Sequence, residues 1–109
     1  MALQPGLYKV EFRTKLGSGT GVLVIEQGRV RGGDSSLAYS GTYEEKGDNF
    51  SAKVNVARHS SGLASVFGID NVSITLSGVS AGTSAQAKGT SPQAPGISFE
   101  AHLSRLPLS

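Results

Sequence analysis

The chain contains no cysteine among its 109 residues. Without thiols it can form neither a disulfide bond nor a thiolate metal site, so its core must stabilise the fold unaided. Tryptophan is absent too, and the aromatic residues are three tyrosines and four phenylalanines. A chain of this length still buries roughly two-thirds of its unfolded surface. The sequence therefore predicts one domain over residues 1–109 with a modest core.

Long apolar runs are also missing. No segment approaches the roughly 20 apolar residues that a membrane helix needs. The first residues, MALQPGLYKVEF, lack the basic and apolar regions of a signal peptide. With the absence of cysteine, these features predict a soluble cytoplasmic protein that does not act at a membrane.

Motifs that carry chemistry are sparse. The two histidines, His59 and His102, have no second histidine or carboxylate at metal-ligand spacing. There is no G-x-S-x-G elbow, P-loop or dinucleotide fingerprint. The glycine-rich run 17–21 precedes a strand, so it lacks the helix dipole of phosphate loops. We expect no enzyme activity, no metal and no cofactor.

Charge of either sign is spread thinly. Ten basic and eight acidic residues give a formal net charge of +2. The basic residues are distributed through the chain and mostly alternate with apolar neighbours, whereas nucleic-acid binding favours basic residues crowded on one face. The pattern predicts solvated strand faces and no direct contact with nucleic acid.

Fifteen glycines and a strict alternation of apolar and polar residues dominate what remains. Glycine disfavours helices, while alternation with period two is typical of half-buried strands. Short glycine-marked turns, such as Gln27-Gly28 and the segment 32–35, separate the alternating runs. The pattern predicts eight strands, at 6–13, 20–26, 29–31, 36–44, 49–58, 72–77, 84–90 and 97–106.

The short links between these strands predict antiparallel neighbours that pair in sequence order. Eight such strands can close on themselves and remove their exposed edges. We therefore predict an all-β fold, a small eight-stranded antiparallel up-and-down barrel of the lipocalin-like kind. A two-sheet sandwich is the alternative. In the one long link, the run 63–67 is predicted to form a helical turn that caps one end of the sheet.

The inward face of the predicted strands mixes bulky and small residues. A barrel of eight strands is filled by side chains or holds one small ligand, and the sequence leaves both possibilities open. The tyrosine hydroxyls would need partners in the interior, from one another or from a ligand. The predicted interior ligand residues are Tyr8, Phe12, Tyr39, Tyr43 and Phe99.

One strand departs from the alternation, because Val22, Leu23, Val24 and Ile25 are apolar at four consecutive positions. In an antiparallel barrel, alternate members of this run face water, and exposed apolar area marks association sites. Symmetric dimers are the commonest oligomers. We therefore predict a homodimer interface at Val22 and Val24.

Several of these residues form a pattern that resembles the GrlR-like family, whose founding members are negative regulators of type III secretion genes in bacteria. The pattern includes Gly6-Leu7-Tyr8, then Gly19-x-Gly21-x-Leu23-x-Ile25, then Gly32-Gly33-Asp34 and Tyr39-x-Gly41. It is most specific over residues 6–43.

The resemblance implies a lipocalin-like barrel, a dimer with an apolar interior, and sequestration of a transcription activator by protein–protein contact. In the founding members an acidic run after the fourth strand carries that contact. The matching acidic positions here are Glu44, Glu45 and Asp48, and Lys46 and Gly47 interrupt the run. The alternative function is a carrier or sensor that holds a small lipophilic molecule in the barrel.

Overall fold

The computed structural model describes residues 3–62 and 65–107. Eight antiparallel strands pair in chain order, and β1 also pairs with β8, so the sheet closes into a barrel. This confirms the predicted barrel and excludes the two-sheet sandwich. The strands are β1 (Gly6–Thr14), β2 (Gly17–Glu26), β3 (Arg29–Gly33), β4 (Leu37–Lys46), β5 (Asn49–Arg58), β6 (Val72–Ser80), β7 (Ser84–Thr90) and β8 (Phe99–Arg105).

Three predicted boundaries fail at glycines, and in one of them β6 continues past residue 77 through Gly78, which pairs with β5 and β7. We predicted a turn over 32–35, but Gly32 and Gly33 continue β3 and pair with β2 and β4. A Cβ on Gly32 would come within 2.5 Å of the Leu23 Cα. Glycine therefore permits a close approach of β2 and β3 here, and the turn begins only at Asp34. The glycine-rich start of β2 likewise pairs with β1 from Gly17 onward, and not from residue 20.

The hairpin between β2 and β3 follows the sequence prediction. Gln27 and Gly28 both have positive φ, at 51° and 76°. Two consecutive residues of this conformation form the turn that matches the twist of the flanking strands. The predicted two-residue turn is confirmed.

Alternate residues of each strand face the interior, as the sequence pattern predicts. In β4, Leu37 and Tyr39 are buried while Ala38 and Ser40 are exposed. The buried apolar side chains of all eight strands form one core inside the barrel. Among the described residues, no helix is long and apolar enough to cross a membrane.

The two open ends of the barrel differ in what covers them. One end, here called the loop mouth, carries the β1–β2, β3–β4, β5–β6 and β7–β8 connections. The other end, called the strap mouth, carries the β2–β3, β4–β5 and β6–β7 hairpins together with residues 3–5, which we call the strap. At the loop mouth Val66 and Phe67 cover the interior. Of the predicted helical turn, residues 63 and 64 lie outside the described residues. The remainder makes a single turn, in which the Gly68 amide donates to the Ser65 carbonyl over 2.8 Å.

Candidate functional site

A small apolar cavity lies inside the barrel. Its volume is about 90 Å³ and nearly all of its surface is carbon. Every strand contributes an inward side chain. The sequence left open whether the interior is filled or hollow; it is mostly filled, with one small space. The residues that line it include Leu3, Val10, Phe12, Leu23, Ile25, Val30, Leu37, Tyr39, Tyr43, Phe50, Val54, Phe67, Ile74, Leu76, Ala87, Phe99 and Leu103.

Four of the five predicted interior residues line this cavity: Phe12, Tyr39, Tyr43 and Phe99. Three of them belong to an aromatic cluster below the loop mouth. The Phe12 ring stacks on Phe99 with centroids 6.0 Å apart and meets Tyr39 edge-on at 6.3 Å. Phe67 adds a third layer, stacked on Phe99 at 5.5 Å. The sequence analysis missed Phe67 as a lining residue, although its place in an apolar run within a polar link was a signal.

The fifth predicted residue, Tyr8, does not line the cavity. Its side chain is 0% exposed, and its hydroxyl donates to the backbone carbonyl of Gln4 over 2.6 Å. The Gly82 carbonyl lies 3.2 Å from the same hydroxyl. Burial raises the pKa of Tyr8, although the guanidinium of Arg105 partly opposes this. The hydroxyl is therefore hydrogen-bonded to backbone carbonyls at the strap mouth, and not to another tyrosine or to a group in the cavity.

Tyr39 directs its hydroxyl to the Asp34 carboxylate, where the phenol donates to Oδ2. Burial raises the pKa of Tyr39, and the hydrogen bond to Asp34 and the negative charge of that carboxylate raise it further. The phenol therefore stays protonated and acts as a fixed donor. The partner of this hydroxyl is thus a carboxylate, where the sequence left open another tyrosine or a ligand.

The same carboxylate organises the turn between β3 and β4. Its Oδ1 accepts hydrogen bonds from the amides of Ser36 and Leu37, at 2.9 and 2.8 Å. An aspartate side chain that accepts N–H groups of residues just after it is typical of tight turns. The His59 Nε2 lies 3.0 Å from the Asp34 carbonyl oxygen and ties the β5–β6 connection to this turn.

Burial by itself raises the pKa of Asp34. The hydrogen bonds from Tyr39, Ser36 and Leu37, together with the nearby His59, outweigh this effect and lower the pKa below its ordinary value. The ionised carboxylate is thus the form that the folded state prefers. Asp34 acts as a structural acceptor at the loop mouth.

The three acidic positions that the resemblance pointed to do not form one surface run. Glu44 faces outward from β4 and is exposed, and Asp48 is exposed in the hairpin between β4 and β5. Glu45 is half-buried on the inward side of β4, where its Oε1 accepts the Leu3 amide over 3.1 Å. The structure therefore brings Glu44 and Asp48 to one hairpin and turns Glu45 toward the strap mouth.

Val22 and Val24 lie on the outer wall of the barrel, with 44% and 39% of their surface exposed. Their neighbours Leu23 and Ile25 are buried in the core, so the four-residue apolar run divides between the two faces. In the sheet register Val22 faces Lys9 on β1, and Val24 faces Arg31 on β3. The two valines thus form an apolar patch with basic side chains beside it.

Neither histidine belongs to a metal-binding group. Within residues 3–62 and 65–107, no three His, Asp or Glu side chains are placed to hold one metal ion. His102 is half-buried on the outer face of β8, with its Nδ1 3.5 Å from the Ser104 hydroxyl. Its outward direction agrees with the predicted polar face of that strand.

No family model matches the chain, and no curated protein is similar to it. Three features are candidate sites: the strap mouth with its acidic hairpin, the small apolar interior, and the apolar patch at Val22 and Val24 on the outer wall.

Replacement of Asp34 by asparagine tests the role of this carboxylate at the loop mouth. We expect Asp34→Asn to lower the free energy of unfolding at pH 7 by about 1 kcal/mol or more, because charge-assisted hydrogen bonds are lost. A carboxyl with a lowered folded-state pKa stabilises the fold above its unfolded pKa of about 3.9 and loses that effect as the pH falls further. The difference between the two proteins should therefore shrink below about pH 4. Urea unfolding at pH 7 and pH 3 measures it, and a difference that grows on acidification would contradict the assignment.

Proposed function

We propose that this protein is a non-enzymatic regulatory binding protein that acts through protein–protein contact in the cytoplasm. Its resemblance to the GrlR-like negative regulators motivates the proposal, with a transcription activator as the partner. The observation that carries it is the position of the acidic hairpin. Exposed Glu44 and Asp48 lie beside a mouth of the barrel whose inward carboxylate, Glu45, hydrogen-bonds a backbone amide.

The small volume of the cavity favours a function in protein–protein contact over one in carrying a lipophilic ligand. An engineered apolar cavity of about 150 Å³ holds one benzene molecule. The interior space of this barrel, at about 90 Å³, is smaller. A lipophilic molecule larger than benzene would have to displace side chains of the core, and tightly packed cores resist such insertion. The barrel serves best as a rigid scaffold that presents its outer wall and mouth.

Charge reversal at the hairpin tests the proposed contact. The variant Glu44→Lys/Asp48→Lys should retain the fold, because surface substitutions change stability little. It should capture at least about tenfold less activator, since a charged contact becomes repulsive. Affinity capture from the host, followed by mass spectrometry, measures the bound helix-turn-helix protein.

Glu11→Lys is the matched control, because Glu11 is also exposed but lies on the outer face of β1. The control should capture as much activator as the wild-type chain. Equal capture by the hairpin variant and the wild type, or no activator in either, would reject the proposed function.

We further propose that the patch at Val22 and Val24 pairs with its own copy in a symmetric dimer. Burial of these side chains would remove exposed apolar area from water. We expect Val24→Glu to give a monomer in sedimentation velocity where the wild type is a dimer, because the interface would then bury an unpaired charge.

Thr75→Glu is the control for the dimer, since Thr75 is exposed on the outer face of β6, away from the patch. It should sediment like the wild type. A wild-type chain that stays monomeric at high protein concentration would rule the dimer out.

The cavity itself favours a second candidate function, a carrier or sensor for a small lipophilic molecule. Dry apolar cavities bind xenon and small hydrocarbons. Under xenon pressure, methyl NMR signals of Leu23 and Leu76, which line the cavity, should shift in a saturable way. Those of Val79, which is exposed on the outer wall, should not. Equal and linear shifts at all three residues would exclude an accessible interior site.

A further inference from the structure

Residues 3–5 lie at the strap mouth, and Leu3 covers part of the interior there. Leu3 is only 6% exposed and its side chain lines the cavity, whereas Gln4 and Pro5 are exposed. Gly6, with φ +147°, then turns the chain into β1. This strap is a short segment with a bend at Pro5 and one apolar side chain inserted in the barrel.

The backbone of the strap is held by groups that match a peptide. The Leu3 N–H donates to Glu45 Oε1 over 3.1 Å. The Gln4 carbonyl accepts the Tyr8 hydroxyl at 2.6 Å, and the Pro5 carbonyl accepts Arg105 Nε at 3.1 Å. The Gln4 N–H donates to the Gly82 carbonyl at 2.8 Å. Three consecutive residues therefore have their peptide groups bound by side chains or backbone of the mouth.

Two of these groups are ionisable side chains on the inward side of their strands. Glu45 follows Tyr43 by two residues on β4, and Arg105 follows Leu103 by two on β8. Charged groups at the rim of an apolar interior carry a desolvation cost unless they are hydrogen-bonded. Here both are directed at peptide groups, one as acceptor and one as donor. A peptide-binding site combines the same two elements, backbone hydrogen bonds and a pocket for a side chain.

We propose that the strap mouth is a binding site for a short peptide segment with an apolar anchor residue, and that the chain's own residues 3–5 occupy this site in the structure. The partner segment inserts its anchor in place of Leu3, donates its N–H to Glu45 and accepts from Tyr8 and Arg105. This inference rests on the proposed function, because it specifies the chemistry of the protein partner that approaches the neighbouring hairpin at Glu44 and Asp48.

The strap competes with any such partner. A segment attached by a short linker has an effective concentration in the millimolar range, so it masks the site from weak free peptides. Removal of its anchor side chain should unmask the site. The competition predicts that a variant with a weakened strap binds the free peptide more tightly than the wild-type chain.

The test uses the full-length chain and a fluorescent synthetic peptide of sequence ALQPG, measured by fluorescence polarisation. We expect Leu3→Ala to bind this peptide at least about tenfold more tightly than the wild type does, because the internal competitor has lost its anchor. A peptide in which serine replaces the leucine should not bind. Equal affinity of the wild type and L3A, or equal binding of the serine peptide, would overturn the proposal.

Matched second-site variants locate the site. In the L3A protein, Glu45→Ala should lower peptide affinity about tenfold, the effect of one lost charge-assisted hydrogen bond. Glu26→Ala, on the outer face of β2 at the same end of the barrel, should leave it within about twofold. If L3A fails to fold, the wild type is titrated with millimolar peptide. Amide NMR signals of Phe50 and Gly82 must then shift, and unchanged signals would reject the site.

The two proposals fail separately. If the hairpin variant loses activator capture but L3A binds no peptide, the strap site is rejected and the proposed function stands. If L3A binds the peptide but the wild-type chain captures no activator, the peptide site stands and the activator as partner is rejected.

Discussion

The pairing of β1 with β8 is the constraint on which the rest of the molecule depends. Six residue pairs, from Tyr8 with Arg105 to Arg13 with Glu100, join the first and last strands. An open sheet of this composition would expose two edges that could pair with other chains. Closure removes those edges, and it also fixes the interior width at a value that side chains nearly fill. The small cavity is what remains after this packing.

Closure leaves two open ends, the loop mouth and the strap mouth. At each of them polar side chains form hydrogen bonds with backbone groups. At the loop mouth, Asp34 binds the amides of its own turn and the hydroxyl of Tyr39. At the strap mouth, Glu45 and Tyr8 hold the strap. Buried polar groups of this kind are costly without partners, so each fixes the local chain path. The two mouths differ in that residues 3–5 are bonded by side chains of β1, β4 and β8, whereas Asp34 bonds backbone amides of its own turn.

The interior and the outer wall therefore suggest different roles. The interior is apolar and small, which suits a rigid scaffold. The outer wall carries an exposed valine pair and an acidic hairpin at separate places. A dimer through the first would leave the second, and the strap mouth beside it, available to another protein. Function lies in sites of this kind on a fold and is not implied by the fold itself.

The sequence by itself determined local features: the alternation of most strands, the Gln27-Gly28 turn and the outward direction of Val22 and Val24. Each of these depends on neighbours a few residues apart, where pattern and turn chemistry act. Only the tertiary structure decided three contacts at the strap mouth. Glu45 hydrogen-bonds the Leu3 amide, Tyr8 hydrogen-bonds backbone carbonyls, and the Leu3 side chain inserts into the end of the barrel. These contacts join residues 42 and 74 positions apart in the chain, as in Leu3 with Glu45 and Tyr8 with Gly82. Such pairs arise from barrel closure, which brings distant strand ends to one mouth and leaves no periodic signal in the sequence.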